Sequence, residues 1–106
     1  MADVAKKMYE GQPGTGDTLL YTTVAAGAVV RGIHVANTTG TAATITIGLN
    51  AGAALAAANH FFSAQSIPAN GALDWSGFQV LDGSATIRAL QGTGSALTVT
   101  ISGVEL

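Results

Sequence analysis

Apolar and small polar residues alternate along most of this chain. Thr44-Ile45-Thr46-Ile47-Gly48-Leu49 and Leu97-Thr98-Val99-Thr100-Ile101-Ser102 are the clearest runs. A period of two marks strands that bury one face and expose the other. By this pattern residues 18–24, 28–37, 43–49, 60–67, 72–75, 78–81, 85–91 and 96–104 read as strands. Ala43, Ile45, Ile47 and Leu49 are expected to point inward. In residues 28–37 the set Val29, Arg31, Ile33 and Val35 is the expected core face, with Arg31 near a rim.

Gly, Pro, Asn and Asp punctuate the runs. Residues 11–17 (Gly11-Gln12-Pro13-Gly14-Thr15-Gly16-Asp17) read as a loop and Ala25-Ala26-Gly27 as a turn. Residues 37–41 read as a hairpin loop in which Asn37 and Gly40 take positive φ. Pro68-Ala69-Asn70-Gly71 is a turn, and Asp82-Gly83 a hairpin that folds residues 85–91 back on residues 78–81. Residues 50–58, rich in Ala and Gly, are predicted as either a flexible loop or one short helix. Residues 1–10 are read as an N-terminal arm or edge strand, and 11–106 as a single domain. The expected fold is an all-β, small antiparallel β-sandwich of about eight strands. Jelly-roll and immunoglobulin-like strand orders both meet this description.

Composition sharpens the picture. Of 106 residues only ten are charged, 9% against the usual ~25%, and the formal net charge is −2. A domain of this size exposes about 5,400 Å², or roughly one charge per 540 Å². Such a surface suits a permanent assembly better than a freely diffusing monomer. Lys6, Lys7, Arg31 and Arg88 are the only basic residues, too few to follow a phosphate backbone, so nucleic acid is not an expected partner. The chain has no cysteine, which excludes disulfides and thiolate metal sites. Lys6-Lys7 is not followed by an apolar stretch, so the N-terminus does not read as a signal peptide. No run reaches the ~18 apolar residues of a membrane helix, and no membrane role is expected. Synthesis in the cytoplasm is expected.

Candidate chemistry is sparse. Gly11, Gly14 and Gly16 are followed by Asp17-Thr18 and a strand, without the Lys-Ser/Thr and helix of a phosphate loop. His34 and His60 are too few for a metal site without cysteine, and Asp74 is the one carboxylate that could join them. Ser63, His60 and Asp74 can be drawn as a triad, but no nucleophile-elbow pattern surrounds Ser63. Solvated or subunit-facing polar residues are the expected reading. No catalytic residue, metal or cofactor is predicted, and the chain is not read as an enzyme. Tyr21, Phe61, Phe62, Trp75 and Phe78 are expected as core or interface anchors, with sugar stacking as the alternative.

The order of segments resembles a group of small virion proteins of tailed bacteriophages. The likeness runs through Leu20–Gly27, Val30–Thr38, Thr41–Ile47, Ile67–Gly71 and the closing Leu97–Leu106 with its Ser-Gly-Val-Glu pattern. It implies a β-sandwich on the particle, a head decoration (cement) protein or a tail-associated one. Decoration proteins of this kind commonly form trimers that bridge capsid subunits. The resemblance therefore implies a virion location, the major capsid protein as partner and a homotrimer. The alternative is a tail, baseplate or fibre component that binds host surface glycan. The resemblance supplies no catalytic residues, and residues 50–58 depart from it. Lys6, Lys7, Tyr9, Trp75 and Phe78 are the candidate contacts with the particle or with other subunits.

Overall fold

A computed structural model describes residues 3–106. It is all-β: β1 (Val4–Gly11), β2 (Thr18–Thr22), β3 (Ala28–Asn37), β4 (Ala43–Ala51), β5 (His60–Ile67), β6 (Ala72–Leu81), β7 (Thr86–Gln91) and β8 (Leu97–Glu105), with one 3₁₀ turn at Ala57–Asn59. The strands form two four-stranded antiparallel sheets, ordered β1-β8-β3-β6 and β2-β7-β4-β5. Among strands consecutive in sequence, only β4 and β5 are neighbours in a sheet. Every other connection crosses from one sheet to the other. This winding is a jelly roll. The immunoglobulin-like order, with the first two strands in one sheet, is excluded.

Crossing connections overturn two sequence expectations. Residues 37–41 and 82–85 do not close hairpins, because β3 and β6 lie in one sheet and β4 and β7 in the other. β7 pairs with β2 and β4, not with β6. Asn37 and Gly40 are absent from the positive-φ positions, which are Asn50, Ala64, Asn70, Ser84, Ser95 and Gly27. Asn37 shapes its arch with its side chain instead. It is buried, accepts from Thr39 N (2.9 Å) and Thr39 Oγ1 (2.7 Å), and donates to the carbonyls of Thr41 (2.8 Å) and Ile67 (3.1 Å). Residues 72–81 form one strand where two were expected. Residues 4–11 are an edge strand paired with β8 from Val4↔Glu105 to Gly11↔Val99, with Met8 buried in the core. Met1 and Ala2, the start of the predicted arm, lie outside the described residues.

The core lies between the sheets. Ala43, Ile45, Ile47 and Leu49 are all buried, as their alternation predicts, against Ile33, Val35, Ile87, Leu97, Val99 and Ile101. In β3 the alternation breaks. Ala28 and Val30 face the core, then Ile33, Val35 and Asn37, so the inward set changes parity. A β-bulge at Arg31 causes this: Val30 pairs with Gly103 but Gly32 with Ser102, so β3 spends one residue more than β8. Val29 and Arg31 consequently leave the predicted core face.

Polar bridges tie sheet to sheet. Asn50, at φ 58°, donates to Val80 O (2.8 Å) and accepts from Asp82 N (2.7 Å). Tyr21 on β2 donates to a Glu105 carboxylate oxygen on β8 at 2.6 Å. Burial first, and then the Glu105 bond, pushes the Tyr21 phenol up to about 12 from its ordinary 10. The fold thus favours the protonated phenol. That stabilisation is complete below pH 10 and is lost as pH rises through about 12. Urea midpoints measured from pH 9 to pH 12 are expected to fall more steeply in the wild type than in Tyr21→Phe. Parallel curves would remove the bond's role.

The segment after β4 is a pinned loop. Leu55 N donates to Asp17 Oδ2 (2.9 Å), and Asn59 accepts from Ala56 N (3.2 Å) and donates to Ala54 O (3.3 Å). The only helical turn within it is the three-residue Ala57–Asn59.

Candidate functional site

The outer face of the β1-β8-β3-β6 sheet carries an apolar row. The pairings Ala5↔Val104, Val29↔Val104 and Val29↔Val80 place Ala5, Val104, Val29 and Val80 side by side across all four strands. Val29 is only 6% exposed, yet it is not a member of the interior cluster. Its cover comes from its neighbours on the outside. Phe78 and Leu106 flank the row, and with Val80 they are the large apolar side chains left open at this place, at 67%, 38% and 47% exposure. Together they line a groove of about 290 Å³.

Strand direction sets the ends of this groove. Leu106 N donates to Gly27 O, which places Leu106 beyond Val29 toward the start of β3. Asp3, one residue before β1, lines that same end. Arg31 lies two residues along β3 from Val29 in the other direction. Its Nε donates to Gly77 O at 2.9 Å, holding the guanidinium beside Phe78 while its terminal nitrogens stay free of any side-chain partner among the described residues. An apolar floor therefore has a carboxylate at one end and a guanidinium at the other.

The five residues expected as contacts do not assemble into one surface. Phe78 alone stands in the groove. Trp75 lies an odd number of positions away on the same strand, and so faces the interior side. Its ring meets Phe61 edge-on at 4.9 Å, Phe61 meets Phe62 at 5.1 Å, and the three close the flank of the sandwich between β5 and β6. Tyr9 packs against the core. Lys6 and Lys7 are exposed on β1, outside the groove. Lys7 bonds Glu10 at 2.8 Å, which holds the Glu10 carboxyl below its ordinary range, chiefly through that hydrogen bond.

The drawn triad separates. His60 Nδ1 lies 3.2 Å from Ser63 Oγ, but Asp74 hydrogen-bonds His34, its cross-strand partner on the other sheet. No cluster of three or more His, Asp or Glu side chains suited to a metal occurs among the described residues. The Gly-rich loop spends its groups internally: Gly14 N donates to Thr18 Oγ1 (3.0 Å), and Gly14 O accepts from Gln91 N (3.0 Å).

Sequence reading missed the groove for two reasons. It divided residues 72–81 at Ser76-Gly77, hiding that Trp75 and Phe78 take opposite faces. It also carried Val29 inward past a bulge. The alternation of Phe78 and Val80 with Gln79 and Leu81 was the available signal. No protein-family model matches the chain, and no curated protein matches it either.

Proposed function

We propose that this chain is a structural protein of a bacteriophage particle, a decoration (cement) protein that binds the major capsid protein at the head surface as an oligomer and acts by binding alone. The observation that carries this is the β5 edge. β5 is an outer strand of its sheet, and its sequence His60-Phe61-Phe62-Ser63-Ala64-Gln65-Ser66-Ile67 contains no Lys, Arg, Asp, Glu or Pro. Ser63 to Ser66 are exposed. Free monomers usually guard such edges with charge or proline, because unpaired backbone groups recruit other chains. Guarded only by a bulge around Ser63-Ala64, where Ala64 takes φ 46°, this edge in a chain with ten charges fits a protein that docks by strand pairing. β1 at the opposite flank bears Lys6, Lys7 and Glu10 and is paired to β8. The jelly roll itself is a winding used by viral capsid and lectin domains, and it supports the reading only at that general level.

Copy number in purified phage particles, by quantitative mass spectrometry against the major capsid protein, tests this. A ratio near one is expected for the wild type. Ser63→Lys with Gln65→Lys, two exposed changes that guard the edge, should lower it about tenfold or more while leaving the fold intact. A handful of copies per particle would move the protein to the tail and bring forward glycan binding by a baseplate or fibre component. Absence from particles would overturn the proposal.

A further inference from the structure

We infer that a second copy of this chain covers the outer-face groove, two copies packing face to face about a two-fold axis with each Arg31 over the partner copy's Asp3. This goes beyond the particle reading and does not depend on it.

Three observations lead to a second copy rather than another occupant. The groove is self-complementary in charge, since Arg31 and Asp3 line its opposite ends. A two-fold axis bisecting the line between them sets guanidinium over carboxylate twice, with the apolar row packed on its own image between. This is the isologous contact that symmetric dimers use. A partner of one predominant charge would leave one end of the groove unmatched.

The width and composition of the row also fit a second copy. A standard interface covers roughly 800 Å² on each partner. That is about a sixth of the 5107 Å² surface of this chain, and the row crosses the full four-strand width of the sheet. Its composition is that of an interface centre, with Val29, Val80 and Val104 in the middle, Phe78 and Leu106 flanking them and charge confined to the ends.

The third observation disfavours strand addition at the Val80 end of this sheet. At the Val80 end the β6 edge already carries a side-chain contact, because Asn50 donates to Val80 O and accepts from Asp82 N just past the strand. The face beside it stays open. Faces of two sheets pack well at about 10 Å separation with interdigitated side chains. Phe78, more than half exposed, provides the projection, and the groove beside it provides the recess.

Sedimentation equilibrium of the full chain from micromolar to about millimolar concentration tests the pairing, with far-UV circular dichroism to check the fold. The expected limiting mass is twice the 10.5 kDa of one chain. Val80→Asp, exposed in the single chain, should leave the fold unchanged and weaken association by about tenfold or more, because the pair would bury an unmatched carboxylate. Arg31→Asp and Asp3→Arg should each weaken it, and the double exchange should restore it. A single-chain mass throughout, a limiting mass of three chains, or association indifferent to all four variants would overturn the two-fold pairing. None of these outcomes bears on the copy number per particle, so the two proposals fail separately.

Discussion

Gln91→Leu is expected to cost this protein about 3–5 kcal/mol, a large share of the 5–15 kcal/mol that holds a typical domain together. Gln91 is fully buried at the end of β7. Its Oε1 accepts from Ala96 N (3.1 Å) and Leu97 N (2.8 Å), and its Nε2 donates to Pro13 O. One side chain thus satisfies three backbone groups, one in the loop of residues 11–17 and two where residues 92–96 enter β8. Leucine has nearly the same volume and none of these bonds, so each group is left buried and unpaired at about 1–3 kcal/mol. The melting temperature should fall by roughly 12 °C or more. Gln91→Glu separates the parts. A carboxylate still accepts from both amides but cannot donate to Pro13 O. Below its pKa the protonated acid can do both, so the deficit of this variant should shrink as pH falls toward 4. Urea unfolding at pH 4 and pH 7 reads both effects. A loss under about 1 kcal/mol for Gln91→Leu would mean that water replaces the amide and that Gln91 does not organise these loops.

Gln91 also shows where sequence reading stops. Strand identity was legible because alternation is local: Ala43 to Leu49 and Leu97 to Ile101 went to the core as their period required. Partnership was not legible. Whether Asp82-Gly83 joins two strands of one sheet or sends the chain across to the other depends on which edge β7 meets, and the turn residues are alike in both cases. Asn37 was assigned a backbone role from its type, yet its amide does the work. Gln91 reads as an ordinary polar position at a strand end until the loops that enclose it are in place. The groove was half legible. Phe78 was singled out for its size, but Val29 was hidden by a bulge whose cause is the register of β3 with two neighbours at once. A surface built from one residue on each of four strands has no signature within any single strand.

The bulge that frees Val29 also makes Gly103 irreplaceable, and Gly103→Ala is expected to cost about 3 kcal/mol, the upper end for overpacking. Gly103 sits on the inward face of β8, opposite Val30 on one side and Lys6 on the other. A Cβ there would lie 2.7 Å from Met8 Cε and closer still to the carbonyl oxygen of Val29. The methionine end can swing away, because it is flexible. The carbonyl belongs to a strand held on both sides by β8 and β6, and it cannot yield without shifting the ladder. A double-mutant cycle with Met8→Ala distinguishes the two obstacles. Removing the Met8 side chain is expected to recover little of the Gly103→Ala loss, leaving a coupling within about 0.5 kcal/mol of zero. Full recovery would place the obstruction in the side chain and overturn the account of β3 as rigid here. The same variant should disturb the outer face, because the carbonyl pressed is that of the residue at the centre of the apolar row. Gly103→Ala is therefore expected to weaken association of the chain as well as its stability, although Gly103 itself lies on the opposite side of the sheet.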